Sequence, residues 1–146
     1  MMKDNFKIHH IPATVWGRKS EKLFIAVHGN LSHKEDTVIE LLAEEANRKG
    51  FQVLSFDLPE HGERREDDTP CTVDQCLHDL REIVNYSKDR WNELHLFACS
   101  MGAYFSLLSY PGVGLQKALF LSPVVDMERI IRDMMRRFQV TPERLQ

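Results

Sequence analysis

Ser100 is the residue whose neighbours best suit covalent chemistry. It sits in the run Ala98-Cys99-Ser100-Met101-Gly102-Ala103. A serine that attacks from a sharp strand-to-helix turn needs small residues two places before and two places after it. Larger side chains there would collide with the helix or the neighbouring strand. Ala98 and Gly102 meet that demand. The common first residue is Gly, so Ala98 departs from the pattern while staying small. Cys99 competes, because a thiolate is the stronger nucleophile. At the apex its flanks would be Phe97 and Met101, both bulky, so the steric rule selects Ser100 and leaves Cys99 as a packed thiol. The plainer reading of Ser100 is a helix N-cap, a common role for Ser. Its place between a predicted strand and a predicted helix favours the nucleophile.

Acyl transfer passes through a tetrahedral oxyanion, and one backbone donor aimed at it typically contributes about 3 kcal/mol. The residue after the nucleophile supplies one N–H, here Met101. The second comes from the loop after an earlier strand. His28-Gly29-Asn30 occupies that place. Gly29 permits close backbone approach, and Asn30 is the expected second donor. The His28 side chain reads as a structural loop histidine.

These residues need a scaffold that brings strand ends together. Phe6–His9 and Ala13–Trp16 read as short strand pieces, broken by Pro12 and Gly17, that suit an antiparallel hairpin. Leu23–Val27 is a continuous apolar run, the mark of a strand buried on both faces. Apolar residues near 3.6 spacing predict a helix from about Lys34 to Lys49, with Gly50 as its C′ residue. Phe51–Phe56 is the next strand, and a polar loop follows it. Thr72 opens another helix, with Gln75 expected to complete a capping box. Its expected buried stripe is Val73, Cys76, Leu77, Leu80, Ile83, Val84 and Trp91. Leu94–Ala98 and Ala118–Leu121 are further strands. Helices are expected from just after Ser100 to Tyr110 and over Met127–Phe138. Strands alternating with helices of this length predict an α/β fold, a mostly parallel sheet with helices on both faces. Ligands then bind beyond the carboxyl ends of the strands.

Composition narrows the partners. The chain has 146 residues, 42% hydrophobic and 28% charged, values ordinary for a globular domain with its own core. A net charge of −3 leaves no basic surplus for phosphates, so nucleic acid is not an expected partner. No apolar stretch approaches the ~20 residues that span a bilayer. The N-terminus has no apolar signal-peptide core. The three cysteines make no disulfide framework, and Cys71 and Cys76 read as free thiols. Together these predict a cytoplasmic protein.

With VHGN, DLPEHGER and ACSMGA present in that order, the sequence resembles the α/β-hydrolase superfamily. Within it, the likeness is to lid-bearing serine hydrolases of the monoacylglycerol lipase and serine aminopeptidase type. DLPEHGER is similar to that family's Asp-x-Pro-Gly-His-Gly loop, with Glu60 where Gly is usual. FLSPVVDMERII resembles the sixth strand and the approach to the lid. The resemblance covers roughly residues 6 to 138. It implies residues 1–125 as the N-terminal part of the hydrolase core, lacking the last strands, and 126–146 as the start of lid helices. It also implies acyl transfer from an ester or related small-molecule acyl substrate to Ser100 and then to water, with no metal or organic cofactor.

The family order is nucleophile, acid, histidine. All seven histidines (His9, His10, His28, His33, His61, His78 and His95) precede Ser100. Asp126 follows the sixth strand, where some relatives place the acid, but it reads better as a helix N-cap or lid residue. The expectation is therefore a piece of a longer hydrolase, inactive by itself, with an exposed sheet edge open to pairing with another copy. The alternatives are a truncated remnant, a non-catalytic binding protein of the same fold, or an unusual base, His61 or His28. An acyltransferase or thioesterase is a weaker option. His61 with Asp57, Glu60 and Glu63 does not match a metal-ligand spacing and reads as a solvated loop. Arg64-Arg65 and Glu66-Asp67-Asp68 read as its hydrophilic exterior. The arginine-bearing stretch Arg129–Arg137 suits a lid helix, a membrane-surface helix or a plainly packed one.

Overall fold

Leu23–Val27 is apolar at every position because both of its faces are covered. A computed structural model describes residues 1–99, the backbone of 117–121, and Arg132 and Arg136. Its strands are β1 (Lys3–Ile8), β2 (Ile11–Trp16), β3 (Lys22–Val27), β4 (Gln52–Phe56), β5 (Glu93–Cys99) and β6 (Lys117–Leu121). They form one six-stranded sheet in the order β1-β2-β4-β3-β5-β6. β4, β3, β5 and β6 run parallel, while β2 pairs antiparallel with both β1 and β4. The expected mostly parallel sheet is thus present, with an antiparallel hairpin at one end.

Among the described residues, one helix covers each face of the sheet. α1 (Thr37–Arg48) joins β3 to β4, and α2 (Val73–Lys88) carries the chain from β4 across β3 to β5. Successive residues of a strand face opposite ways. Leu23, Ile25 and Val27 therefore pack with Cys76, Leu80, Ile83 and Val84 of α2. Phe24 and Ala26 pack with Ile39, Leu42, Ala43 and Ala46 of α1. Each fully buried Leu, Ile, Val or Phe contributes about 1.5–3 kcal/mol, so the two clusters are the main stabilising element.

The local starts and stops follow side-chain chemistry. Asp36 Oδ1 accepts from the Ile39 N–H at 2.8 Å and caps α1. That places the helix start after Lys34, which the periodicity alone had put inside it. Gly50 at φ 86° takes the left-handed C′ position. Phe51 N–H donates to Ala46 O at 2.9 Å and Gly50 N–H to Asn47 O at 3.1 Å, the Schellman pattern. Thr72 Oγ1 accepts from Gln75 N–H at 3.2 Å, but only half of the expected capping box forms. Thr72 N–H donates to Pro70 O at 3.0 Å instead, and the Gln75 side chain donates to the buried Asp79 Oδ1 at 2.9 Å. Val73, expected in the buried stripe, is 40% exposed. Trp91 lies beyond the helix, packed against the same core and donating to Gln52 Oε1 at 2.8 Å.

Pro12 was expected to break the N-terminal strands, yet it is the second residue of β2. Its ladder partner is Lys7 of β1, and on the β4 side, where the ladder ends at Ala13↔Phe56, its carbonyl accepts from Asp57 N–H at 3.0 Å. Its missing N–H is not needed there. His9, expected as strand, opens a two-residue hairpin loop at φ 56°. Such loops require a positive φ, and His is among the residues that tolerate it. The expected helix after Ser100 lies outside the described residues. Of the expected Met127–Phe138 helix only Arg132 and Arg136 are described. Both are helical and exposed, and Arg132 Nε lies 3.3 Å from Glu45 Oε1.

Candidate active site

Strand register decides which loops can meet. Val27 is level with Phe56 of β4 and with Ala98 of β5. The three parallel strands thus end at one edge of the sheet, and the chain leaves it as His28-Gly29-Asn30, as Asp57-Leu58, and after Cys99. Asn30 lies on that edge, exposed. Ser100 is the residue next to Cys99 in sequence, but Ser100 and Met101 lie outside the described residues. Cys99 itself is buried among the residues that face α1. Burial first, and the nearby Asp36 carboxylate second, push its thiol up to about 12. A thiol held protonated in this way is a poor nucleophile.

The loop carrying Asn30 is tied to the loop after β4 by three contacts and to β4 itself by a fourth. His28 Nε2 accepts from Leu58 N–H at 3.0 Å, and its Nδ1 donates to Gly29 O at 2.7 Å. Both ring nitrogens are engaged with backbone in a neutral tautomer, so His28 is a structural residue and has no free nitrogen to act as a base. Lys34 N–H donates to Asp57 Oδ1 at 2.8 Å, and Ser55 Oγ donates to Lys34 O at 2.7 Å. His61 Nε2 lies 3.4 Å from Asn30 Oδ1, while its Nδ1 meets Pro59 O at 2.8 Å.

Asp57, His61 and Arg64 are not part of a solvated loop exterior, as their sequence context suggested. All three are buried. Asp57 accepts from the backbone N–H groups of Lys34 and Glu63 on its two oxygens, the latter at 3.0 Å. These bonds occupy the carboxylate with loop backbone. Burial nevertheless raises its pKa above the usual carboxylate value, partly offset by these two N–H donors. Arg64 pairs with buried Asp79 of α2 at 2.6 Å. Lys34 is buried too, its ammonium between Glu35 at 2.8 Å and Glu63 at 3.0 Å. Burial alone would lower its pKa, but those carboxylates outweigh it and hold the lysine charged. Sequence reading missed Lys34, Arg64 and Asp79 as anchors. The one available signal was the buried-stripe position of Asp79, one residue before Leu80.

The loop's unusual residues follow from this packing. Gly62 has φ 55°, and a Cβ there would overlap the Asp57 carboxylate. Replacing Gly62 with Ala is expected to cost about 2 kcal/mol, read as a lower urea midpoint. A loss below ~0.5 kcal/mol, the ordinary surface range, would show that the approach is not tight. Glu60 stands at φ 66°, a left-handed position that explains why Gly is usual in the similar motif. Its carboxylate accepts from Cys71 N–H at 2.6 Å. Leu31 is also left-handed, at φ 62°, and 92% exposed. The buried Ser32 Oγ has no hydrogen-bond partner among the described residues. Asn30, Leu31, Ser32, Glu60, His61 and Cys71 all line one cavity of about 720 Å³.

His28 also sets an acid limit. Burial, with smaller contributions from His61 and His33, lowers its pKa from 6.5 to about 4 despite the bond to Gly29. Unfolded, it takes a proton as pH falls through 6.5; folded, it resists until about 4. Stability present above pH 6.5 is therefore lost on acidification and levels off below 4, by about 3 kcal/mol. Urea midpoints measured between pH 7 and 4 should fall less steeply for His28→Gln than for the parent. Parallel slopes would exclude His28 as the source.

The match with known proteins follows the same outline. Residues 24–145 match the profile of the alpha/beta hydrolase family, and the chain belongs to that family. Among solved structures it is similar to the esterase Pf2001 of Pyrococcus furiosus, at 23% identity and TM-score 0.70. That match covers 99% of this chain and 57% of the esterase. It is also similar to Est1E of Butyrivibrio proteoclasticus, bound to ferulic acid, at 22% identity and TM-score 0.64, covering 80% of this chain and 51% of the other. A Xanthomonas campestris protein described as an a/b serine hydrolase without lid matches at 18% identity and TM-score 0.66, covering 75% and 54%. At these identities the likeness establishes the fold. The chain spans about half the length of these structures. No curated protein sequence matches it. Among the described residues no helix is long and apolar enough to cross a membrane.

Proposed function

We propose that the protein is a serine hydrolase that cleaves a carboxylic ester or related acyl substrate through an acyl-enzyme on Ser100. The backbone N–H groups of Asn30 and Met101 form its oxyanion hole. The observation that carries this reading is the common register of the β3, β4 and β5 ends. It brings the Asn30 loop and the end of β5 at Cys99 to one edge of the sheet, and Asn30 lines a cavity of about 720 Å³. Family membership supports the same chemistry. The finer likeness to lid-bearing lipases, with residues 126–146 beginning the lid, is part of this proposal.

Ser100 would attack the acyl carbon and lose its proton to a base, and Asn30 and Met101 would hold the oxyanion. No histidine follows Ser100 in the chain, and His28 is committed to backbone. The 146 residues alone are therefore expected to show only the residual catalysis that an oxyanion hole provides. A fluorophosphonate added to the full-length protein should give one adduct that maps to Ser100. If the folded protein takes no adduct but still binds small acyl ligands, a non-catalytic binding role replaces this reading.

A further inference from the structure

Thr72 caps α2, so Cys71 stands at the N′ position and Cys76 at N4. These two positions are commonly joined by an apolar staple at a helix start. Here the staple is made of two thiols, with their sulfurs 3.7 Å apart. Cys76 is buried in the core beneath α2, and Cys71 is half-buried and lines the cavity beside Asn30 and His61. The third cysteine, Cys99, belongs to the cluster on the opposite face of the sheet. Only Cys71 and Cys76 can meet without unfolding.

We propose that Cys71 and Cys76 are a site of reversible oxidation, closed to a disulfide by a small disulfide of the oxidised-glutathione class. Cys71, the accessible sulfur, gives its proton to water and attacks one sulfur of the oxidant. The oxidant's S–S bond breaks, and one small thiolate leaves and takes up a proton. Cys76 then attacks the Cys71 sulfur in the mixed disulfide, releases its proton and expels the second small thiol. Two protein thiols are oxidised and one small disulfide is reduced to two thiols. Burial and the neighbouring Cys71 hold the Cys76 thiol well above its usual range, and with Cys76 buried the first attack falls to the accessible Cys71.

Closing the sulfurs from 3.7 Å to the ~2.05 Å of a disulfide moves Cys71 toward α2. Its N–H bond to Glu60 and the cavity wall move with it. Oxidation would therefore reshape the mouth of the cavity, whatever chemistry Ser100 performs.

The test uses full-length protein treated with oxidised glutathione and analysed by mass spectrometry under native conditions. The expected product has lost the mass of two hydrogens and yields a peptide linking Cys71 to Cys76, and dithiothreitol reverses both. Cys76→Ala should stop at a stable glutathione adduct on Cys71, and Cys71→Ser should take neither modification. A glutathione adduct that persists on Cys71 of the parent protein would overturn the proposal. So would a link to Cys99, or no native reaction when the denatured chain reacts freely.

Discussion

Replacing Ser100 with Ala is expected to lower ester turnover by the full-length protein by roughly 10⁶-fold, with little change in substrate binding. Removing the nucleophile of a serine triad costs about as much as removing the whole triad, and what remains comes from the oxyanion hole and binding. Fluorophosphonate labelling should vanish in the same variant. Cys99→Ala, by contrast, should keep its label, because the Cys99 thiol is buried and held protonated. Initial rates on short p-nitrophenyl esters check the first expectation. A loss of less than ~100-fold, the scale of a single supporting donor, would mean that Ser100 is a cap and that another group attacks.

Asp79→Ala is expected to destabilise the fold by about 3–5 kcal/mol, a large part of a domain's ordinary stability. Asp79 accepts from Arg64 Nη1 at 2.6 Å and from Gln75 Nε2 at 2.9 Å. The side chains of Asp79 and Arg64 are 2% and 4% exposed. Removing the carboxylate leaves a buried guanidinium with the Asp57 carbonyl at 3.2 Å and the half-exposed Asp67 carboxylate at 3.7 Å from its Nε. The damage would reach the candidate site, because Arg64 fastens the loop of Asp57 and His61 to α2. Replacing both partners, Arg64→Met with Asp79→Leu, should recover most of the loss, since no unpaired charge remains. Urea unfolding of the single and paired variants measures this. A single-variant loss below ~1 kcal/mol, within the usual range for an exposed ion pair, would show that the pair is hydrated.

The elements were largely legible because each announces itself locally. A continuous apolar run marked β3, the stretch Phe51–Phe56 marked β4, and apolar spacing marked α1 and α2. Gly50 closed α1 as expected because a left-handed C′ residue is a local demand. Differences arose where a side chain found a partner that the local pattern did not name, whether one helical turn away or far along the chain. Gln75 left its capping box for Asp79, Lys34 left the helix for Asn5, Glu35 and Glu63, and Arg64 left the charged run for Asp79. Pro12 sat inside a strand because the β4 ladder begins just beyond it.

The amino-acid sequence by itself determined the kind of scaffold and the order of its parts. Strand burial, helix periodicity, caps and the small-x-Ser-x-Gly spacing are properties of neighbours in the chain, and they carry the family's outline. Tertiary structure alone decided how the loops at the strand ends are held. Asp57 reaches across 23 positions to the N–H of Lys34, and His28 reaches 30 to that of Leu58. Which polar group is buried, and which partner offsets its lost hydration, depends on what the fold brings within about 3 Å. No local pattern in the sequence encodes that distance.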